Sequence, residues 1–414
     1  MKKRILSAII AMLVLCTVLF NMSSCIMVSA VDLMDGIEPR EVREADLDAL
    51  NESVTDFAVR IFIEMENGEN LFLSPMSILF ALAMTSNGAA GETLAQMELV
   101  FGIERDELNE YLHTYINSLN EGEKTKLGIA NSIWFKKDPL LTVNQSFLQK
   151  NADYYGAEIY KTSFDMTTLA DINSWVRRET RGMIPSIIES ISSDTIMYLI
   201  NTIAFEAEWA TTYKSTQVKD GIFTKEDGTE QRAEFMYCTE GKFIEDENAT
   251  GFIKRYKGNY AFVALLPNEG VSISDYIASL NGEGVASMLA SSVSTTVRTS
   301  LPKFSTKFEA DIADVLYSMG MTDAFDVDLA DFSQLGSYEE QNIYIGNVLH
   351  KTFIDVEERG TKAGAVTVVS MKDGSAAPPE DPKEVYLDRP FVYMIIDTEN
   401  NIPLFIGSMT DVKN

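Results

Sequence analysis

The sequence predicts an α+β fold in one large domain, and three observations lead to it. Apolar residues at helical spacing come early in the chain, whereas apolar runs bounded by turn residues come late. Of the 414 residues, 46% are hydrophobic, which is enough for a large core. No internal repeat or low-complexity linker divides the chain beyond residue 30, so we expect a single domain over residues 31–414.

Helical patterns dominate the first part of this domain. Apolar residues recur at helical spacing and predict a helix over about 41–65. Ser74 as the N-cap and Pro75 at the first helical position predict the start of a second helix. Further helices are expected at 92–100, 105–119 and 171–182.

Strand patterns follow. Between Gly221 and Pro267 the pattern changes to strands and turns, with Asp-Gly and Lys-Gly pairs between the runs. Elsewhere, apolar runs predict buried strands at 126–135, 195–205 and 344–358, and in the closing runs "PFVYMIID" and "IPLFIGSM".

The first 30 residues are typical of an export signal. Three cationic residues precede an apolar run at 5–20, which suits a signal peptide better than a membrane span. Val28-Ser29-Ala30 would allow cleavage for free secretion, whereas Met22-Ser23-Ser24-Cys25 resembles a lipobox. The alternatives are therefore secretion, a lipid anchor on Cys25 at the outer face of a bacterial membrane, or an uncleaved anchor. In each case the protein would work outside the cytoplasm.

Charge and cysteine content exclude several classes of function. The net charge is −28, and removal of the signal would make it more negative, so nucleic-acid binding is not expected. Heparin binding is also not expected, because the 91–125 region lacks a basic helix face. The chain has 3 cysteines, Cys16, Cys25 and Cys238, and the first two belong to the signal or its border. A disulfide framework is therefore excluded, and stability must come from packing.

Candidate catalytic or metal-ligating residues are few. The two histidines are His113, in a polar helix where a surface position is expected, and His350, in an apolar strand where a structural hydrogen bond is expected. None of the common hydrolase, zinc, phosphate-loop or dinucleotide motifs is present. The acidic segment 326–332 lacks the glycine and glutamate of an EF-hand and is interpreted as a solvated loop. We expect no enzyme activity, metal or cofactor.

Five motifs, in order along nearly the whole mature chain, resemble those of one family, the serpins. They are "NLFLSPMSILFALAMTSNGAAGETLAQM" (70–97), "INSWVRRETRGMI" (172–184), "LINTIAFEAEW" (199–209), "LPKFSTKFEADIADVLYSMGMTDAF" (301–325) and the closing pair "RPFVYMIID" and "PLFIGSM". The resemblance implies three β-sheets, about nine helices and an exposed reactive-centre loop, here at about 358–385.

The resemblance also implies roles for individual residues. The polar cluster beneath the opening point of the main sheet, the shutter, is matched by Ser74, Ser77, Asn201 and His350. The buried tryptophan near the top of that sheet, at the breach, is matched by Trp209. These residues have structural roles in the family, which agrees with the structural hydrogen bond expected for His350 from its position in an apolar strand.

An inhibitory serpin traps its protease by inserting the cut loop into the main sheet as a new strand. At about 3.4 Å per residue, some 17 inserted residues would carry the protease ~55–60 Å. Alternate residues of such a strand face the core. One row of the loop is small or apolar and uncharged, and both lysines lie in the other row. The hinge residues that match the family are Glu358, Gly360, Thr361, Ala363 and Ala365.

The scissile bond follows from counting along this loop. From Glu358, a 17-residue span places the cut between Gly374 and Ser375, with Met371 and Lys372 as alternatives because the exit segment is about five residues longer than usual. Small residues around the cut favour elastase-like or subtilisin-like serine proteases, whereas a cut at Lys372 would favour trypsin-like ones.

Three functions therefore remain as hypotheses. The first is a secreted monomeric inhibitor of serine proteases that acts as a suicide substrate. The second is a non-inhibitory carrier or binding protein with the same fold, which bulky or charged inward hinge residues would have favoured. The third is an unrelated extracellular enzyme or surface-binding protein, for which the sequence offers no catalytic constellation.

Overall fold

The computed structural model describes residues 30–119, 125–191, 195–339, 341–361 and 382–413. The predicted signal over residues 1–29 and most of the predicted reactive-centre loop lie outside these ranges. Among the described residues, no helix is long and apolar enough to cross a membrane. The α-helices within the described ranges are α1 (Asn51–Glu64), α2 (Pro75–Ser86), α3 (Gly91–Phe101), α4 (Arg105–Ser118), α5 (Gln145–Tyr155), α6 (Met166–Glu179), α7 (Ile273–Ser279), α8 (Gly282–Ala290) and α9 (Ala313–Ser318).

The strands fall mainly in the second half of the chain. They are β1 (Val31–Asp32), β2 (Leu71–Leu73), β3 (Thr125–Lys136), β4 (Leu141–Val143), β5 (Glu158–Thr162), β6 (Met197–Glu208), β7 (Val218–Thr224), β8 (Glu230–Glu245), β9 (Ala249–Arg255), β10 (Tyr260–Pro267), β11 (Val293–Pro302), β12 (Phe304–Asp311), β13 (Gly336–Tyr338), β14 (Leu349–Glu357), β15 (Gly360–Thr361), β16 (Lys383–Tyr386), β17 (Phe391–Asp397) and β18 (Ile402–Met409).

These strands form three sheets within the described ranges, so the predicted α+β fold with three sheets and about nine helices is confirmed. The first sheet has 7 strands in the order β1-β5-β3-β6-β15-β14-β12. The second has 9 strands, with β16-β11-β8-β9-β10-β17-β18-β2 as its path and β7 paired to β8. The third is the pair β13-β4.

Helix α2 lies at the centre of the fold, and its sequence explains why. Pro75 occupies the first turn, and the Ser74 side chain accepts a hydrogen bond from the Ser77 backbone N–H, as the sequence predicts for a helix start. Every residue of α2 is buried. A helix that is apolar on all sides must be enclosed by other elements. Here α2 packs against β6 of the seven-stranded sheet and β18 of the nine-stranded sheet.

The main core fills the space between the two large sheets. Phe205 of β6 lies with its ring centroid 6.1 Å from that of Phe405 on β18 and 5.5 Å from that of Tyr260 on β10. The strands β10, β17 and β18 are buried along their whole length. The seven-stranded sheet therefore rests on an apolar layer that can accept further side chains only if they are small or apolar.

A second, smaller core lies under helix α6, on the other face of the seven-stranded sheet. Trp175 of α6 is 3% exposed, and its indole N–H donates to a carboxylate oxygen of Glu158 on β5 at 2.9 Å. Arg178, one turn later, reaches the same carboxylate at 3.2 Å. Glu158 therefore fastens the helix to the edge of the sheet.

Three predicted elements differ from the structure at their starts by more than two residues. The helix expected over 171–182 spans Met166–Glu179, because the Asp165 side chain accepts hydrogen bonds from the backbone N–H groups of Thr167 and Thr168 and caps the helix earlier. The helix expected over 41–65 begins at Asn51, after a 3-10 turn at Leu47–Ala49, and before it the backbone N–H of Ala45 donates to the Thr114 hydroxyl at 2.8 Å rather than to a helical carbonyl. The strand expected over 344–358 begins at Leu349. Before it, the backbone N–H groups of Ile345 and Val348 donate to the Ala324 carbonyl and the Asp311 carboxylate rather than to a neighbouring strand.

Replacement of Glu158 by alanine should loosen α6. The buried indole N–H of Trp175 would lose its acceptor, a loss of about 1–3 kcal/mol in the free energy of unfolding. Amide hydrogen exchange of the α6 backbone should speed up accordingly, which mass spectrometry of peptides spanning 166–179 would measure. Glu179→Ala is the control, since Glu179 pairs with Arg178 but not with Trp175. Equal exchange in the two variants would contradict this role of Glu158.

Candidate functional site

The candidate site is the place where β15 enters the seven-stranded sheet. Thr361 of β15 lies opposite Val356 on β14 and opposite Ala207 on β6, antiparallel to both. Strand β15 consists of Gly360 and Thr361 alone, and apart from it no strand ladder joins β6 to β14 in the described part of the chain. Two parallel strands are therefore held apart at one end by the first two residues of a third strand.

Gly360 fits this entry point because β15 approaches β6 very closely. A Cβ atom at residue 360 would lie 1.9 Å from the carbonyl oxygen of Ala207, well inside any permitted contact. Glycine alone among the residues lets the backbone pass at this distance.

Thr361 faces the core. Its side chain is 2% exposed, and its hydroxyl lies 2.5 Å from the hydroxyl of Tyr256, which is also buried. This is the inward row that the alternation predicts for residue 361. Ala363 and Ala365, the remaining hinge residues, lie outside the described residues, as do Met371, Lys372, Gly374 and Ser375 at the expected scissile bond.

Trp209 holds the turn that precedes β15. It is fully buried, with its ring stacked on Tyr256 at a centroid distance of 4.3 Å. Its backbone N–H donates to the carbonyl of Arg359 at 2.7 Å, and its indole N–H donates to the carbonyl of Glu357 at 2.9 Å. Between these two carbonyls, that of Glu358 accepts from the backbone N–H of Tyr213 at 2.9 Å. Three successive carbonyls of the turn are thus bound by one segment.

The Glu358 side chain adds an ion pair on the outer side of the turn. One of its carboxylate oxygens lies 3.0 Å from Lys303 Nζ, which also lies 3.2 Å from a carboxylate oxygen of Glu234. Burial opposes ionisation of Glu358, but hydrogen bonds from its own backbone and from Lys303 outweigh burial and lower its pKa below the usual value. Glu358, the first of the predicted hinge residues, is therefore held in its charged form.

The polar cluster beneath this opening centres on His350 of β14. The backbone N–H of Ser74 donates to His350 Nε2 at 3.1 Å, so this nitrogen is unprotonated. The histidine is 5% exposed, and burial lowers its pKa to about 4, which keeps it neutral. Its expected structural role agrees with this geometry.

The same cluster also reaches the nine-stranded sheet and the strands on the other side of the opening. The hydroxyl of Ser74 donates to the carbonyl of Leu404 at 2.9 Å. Ser77, at the start of α2, donates its hydroxyl to the side-chain oxygen of Asn201 on β6, and Asn201 in turn donates to the side chain of Asn131 on β3. The N-terminus of α2 therefore binds β14 through one serine and β6 through the other.

Sequence reasoning missed Tyr256 and Lys254, which lie beneath the turn. A signal was present, because Phe252, Lys254 and Tyr256 alternate on the buried face of β9 and its continuation, and alternation puts all three on one side.

His113, expected at the surface, is half-buried: its Nδ1 lies 3.3 Å from the carbonyl of Tyr154. Segment 326–332 contains no strand or α-helix, in agreement with the loop interpretation.

The comparisons with known proteins decide the family. A family model described as "Serpin (serine protease inhibitor)" matches residues 52–412. The chain belongs to the serpin family. Among curated serpins, a serpin-like protein of Thermococcus kodakarensis is 29% identical, covering 87% of this chain and 85% of its own length. The alpha-1-antiproteinase of Rattus norvegicus is 27% identical, over 87% of this chain and 89% of its own.

Solved serpin structures agree with this assignment. The native state of tengpin, a thermophilic serpin, is 46% identical and superposes with a TM-score of 0.87, covering 92% of this chain and 99% of its own. Its latent state is 44% identical, covers 90% of this chain and 100% of its own, and superposes with a TM-score of 0.79. The fold of the present serpin is therefore nearer to the native arrangement of this relative. Serpins are generally inhibitors of serine proteases rather than enzymes, which gives the class of partner.

The low pKa of His350 predicts how stability depends on pH. The unfolded chain binds a proton at this residue near pH 6.5, whereas the folded protein does so only near pH 4. Stability is therefore fully present above pH 6.5 and falls as the pH drops to 4, by about 3 kcal/mol from this residue. Between pH 7 and pH 4, the free energy of unfolding of His350→Gln should fall by about 3 kcal/mol less than that of the unmodified protein. Denaturant titrations at each pH would measure this difference. Parallel pH profiles would contradict the assignment.

Proposed function

We propose that this serpin is a secreted inhibitor of serine proteases that acts as a suicide substrate. A protease would attack the reactive-centre loop, and the acyl-enzyme would be trapped when the loop inserts between β6 and β14. The observation that carries the proposal is β15, which lies between these strands and pairs with both. The inserted strand would continue β15 in the same direction, so insertion extends a strand that has already begun.

The sequence of the loop supports continued insertion. The row that contains Thr361 continues with Ala363, Ala365, Thr367 and Val369, all small or uncharged. The opposite row contains Lys362 and would face away from the core layer formed by β10, β17 and β18. Burying an unpaired charge costs several kcal/mol, so this segregation is what an inserting strand requires.

The serpin fold is also found in a binding protein. The complex of thyroxine-binding globulin with thyroxine superposes on this chain with a TM-score of 0.77 at 25% identity, covering 88% of this chain and 99% of its own. The sequence of the hinge does not favour a carrier here: the row that begins with Thr361 carries no charged or bulky residue from 361 to 367. We therefore rank inhibition above a binding function.

Target class and location are part of the proposal. A cut between Gly374 and Ser375 would suit elastase-like or subtilisin-like proteases with small primary pockets, and a cut at Lys372 would suit trypsin-like ones. The signal over residues 1–30 would export the protein, free or anchored through Cys25. We propose that it acts as a monomer, without heparin.

The direct test is incubation of the mature protein with a panel of serine proteases, followed by denaturing gels and mass spectrometry. We expect a 1:1 complex that survives boiling in detergent, because an ester bond is trapped. The released C-terminal fragment should begin at Ser375 or within about three residues of it, because a 17-residue span counted from Glu358 ends at Gly374. Cleavage without any stable complex across the panel would refute inhibition, and a fragment starting well beyond Pro378 would refute the register.

A pair of hinge variants tests the insertion itself. Thr361→Arg would force a charge into the space beside Tyr256, where burial without a partner is costly. We expect this variant to fold and to be cut at the same bond, but as a substrate. Lys362→Glu is the matched control on the outward row and should still trap the protease.

Melting temperatures complete this test. The cleaved unmodified protein should melt tens of degrees above the uncut one, because each medium-sized side chain buried by insertion contributes roughly 1.5–3 kcal/mol. Cleaved Thr361→Arg should show a much smaller rise. If the two variants behave alike, or if cleavage leaves the melting temperature unchanged, the loop does not insert.

A further inference from the structure

A buried lysine lies directly beneath the hinge turn. Lys254 of β9 is 2% exposed, although lysine is almost never fully buried without a partner. Its ammonium group lies 2.7 Å from a carboxylate oxygen of Glu240 on β8 and 3.3 Å from the carbonyl of Thr211. The thiol of Cys238 donates to the same carboxylate oxygen at 3.0 Å. The charge is therefore paired and hydrogen-bonded within the fold.

The ammonium group also contacts the two residues that hold the turn. It lies 4.3 Å from the ring centroid of Tyr213 and 5.2 Å from that of Trp209. A cation held over an aromatic face in a desolvated site attracts the ring strongly. Together with the hydrogen bond to the Thr211 carbonyl, these contacts hold the segment 209–213 at every second residue: Trp209, Thr211 and Tyr213.

That segment in turn fixes the hairpin between β14 and β15. Trp209 binds the carbonyls of Glu357 and Arg359, and Tyr213 binds that of Glu358. The register of Glu357 opposite Gly360 leaves a two-residue turn, so the hairpin is complete before the loop is cut. Insertion then needs only to lengthen one arm of this hairpin.

We propose that the Lys254–Glu240 ion pair is a positioning device that preforms this hairpin and thereby speeds loop insertion. The inference rests on the proposed function. Trapping is a race between insertion of the cut loop and hydrolysis of the acyl-enzyme, and a preformed hairpin removes the slow first step of strand formation. Without the ammonium group, Trp209 and Tyr213 lose their common anchor, and the turn has to be ordered while the acyl-enzyme is being hydrolysed.

The test compares Lys254→Met, Glu240→Gln and Lys254→Arg with the unmodified protein. Lys225→Met is the control, since Lys225 pairs with Asp411 at 3.0 Å in a partly exposed ion pair away from the hinge. Three quantities are measured for each protein: the number of inhibitor molecules consumed per protease trapped, the rate of loop cleavage, and the rate of spontaneous loss of inhibitory activity on warming. Fluorescence of the tryptophans reports the environment of Trp209.

We expect Lys254→Met and Glu240→Gln to consume about three- to thirtyfold more inhibitor per trapped protease, with unchanged cleavage rates. Spontaneous loss of activity should become slower, because it also requires insertion. The fluorescence of Lys254→Met should change, Lys254→Arg should restore most of the trapping because it keeps the cation, and Lys225→Met should match the unmodified protein.

Two results would overturn the inference. Unchanged inhibitor consumption in both Lys254→Met and Glu240→Gln would show that the pair does not assist insertion. Faster spontaneous inactivation with a lower melting temperature would show that the pair merely stabilises the uncut fold. If Lys254→Met fails to fold, Glu240→Gln and Lys254→Arg still decide between these outcomes. Failure of the unmodified protein to trap any protease would instead refute the proposed function.

Discussion

The gap between β6 and β14 is the constraint on which the rest of this structure depends. Both strands run in the same direction, and β15 is antiparallel to each, so the strand that begins there satisfies ladder groups on both sides at once. Only two residues of the described chain occupy this position. The neighbouring features, from the glycine at the entry to the serines at the start of α2, keep the two strands in place around it.

The two polar clusters hold the gap in different ways. At the start of α2, the backbone N–H of Ser74 donates to His350 on β14 and the hydroxyl of Ser77 donates to Asn201 on β6, so the helix links the two strands. At the other end, Trp209 and Tyr213 bind carbonyls of the turn before β15. Buried polar networks are rigid when every group is satisfied and costly when one partner is lost.

The sequence predicted the fold class and the start of α2 because those signals are local. Ser74 and Pro75 together predict a helix start from two adjacent residues. The structural role of His350 was predicted from its position in an apolar run, which indicates burial. The starts of α1 and β14 were predicted too early, since the true boundaries depend on distant contacts. Ala45, before α1, donates to Thr114, which is 69 residues away. Val348 and Ile345, before β14, donate to Asp311 and Ala324, which are 37 and 21 residues away. The ion pair of Lys254 with Glu240 was missed for the same reason, as it joins neighbouring strands.

The close approach at Gly360 has a consequence for anyone who would redesign this protein. The entry point tolerates a single residue type, because a Cβ there would overlap the carbonyl oxygen of Ala207 at 1.9 Å. The residues that a protease would read lie more than ten positions further along the chain, around residue 374. Steric requirements at the entry and chemical requirements at the cut are thus carried by separate parts of the loop. If the proposed function is correct, substitutions around residue 374 would change the target preference while the residues at the entry point stay unchanged.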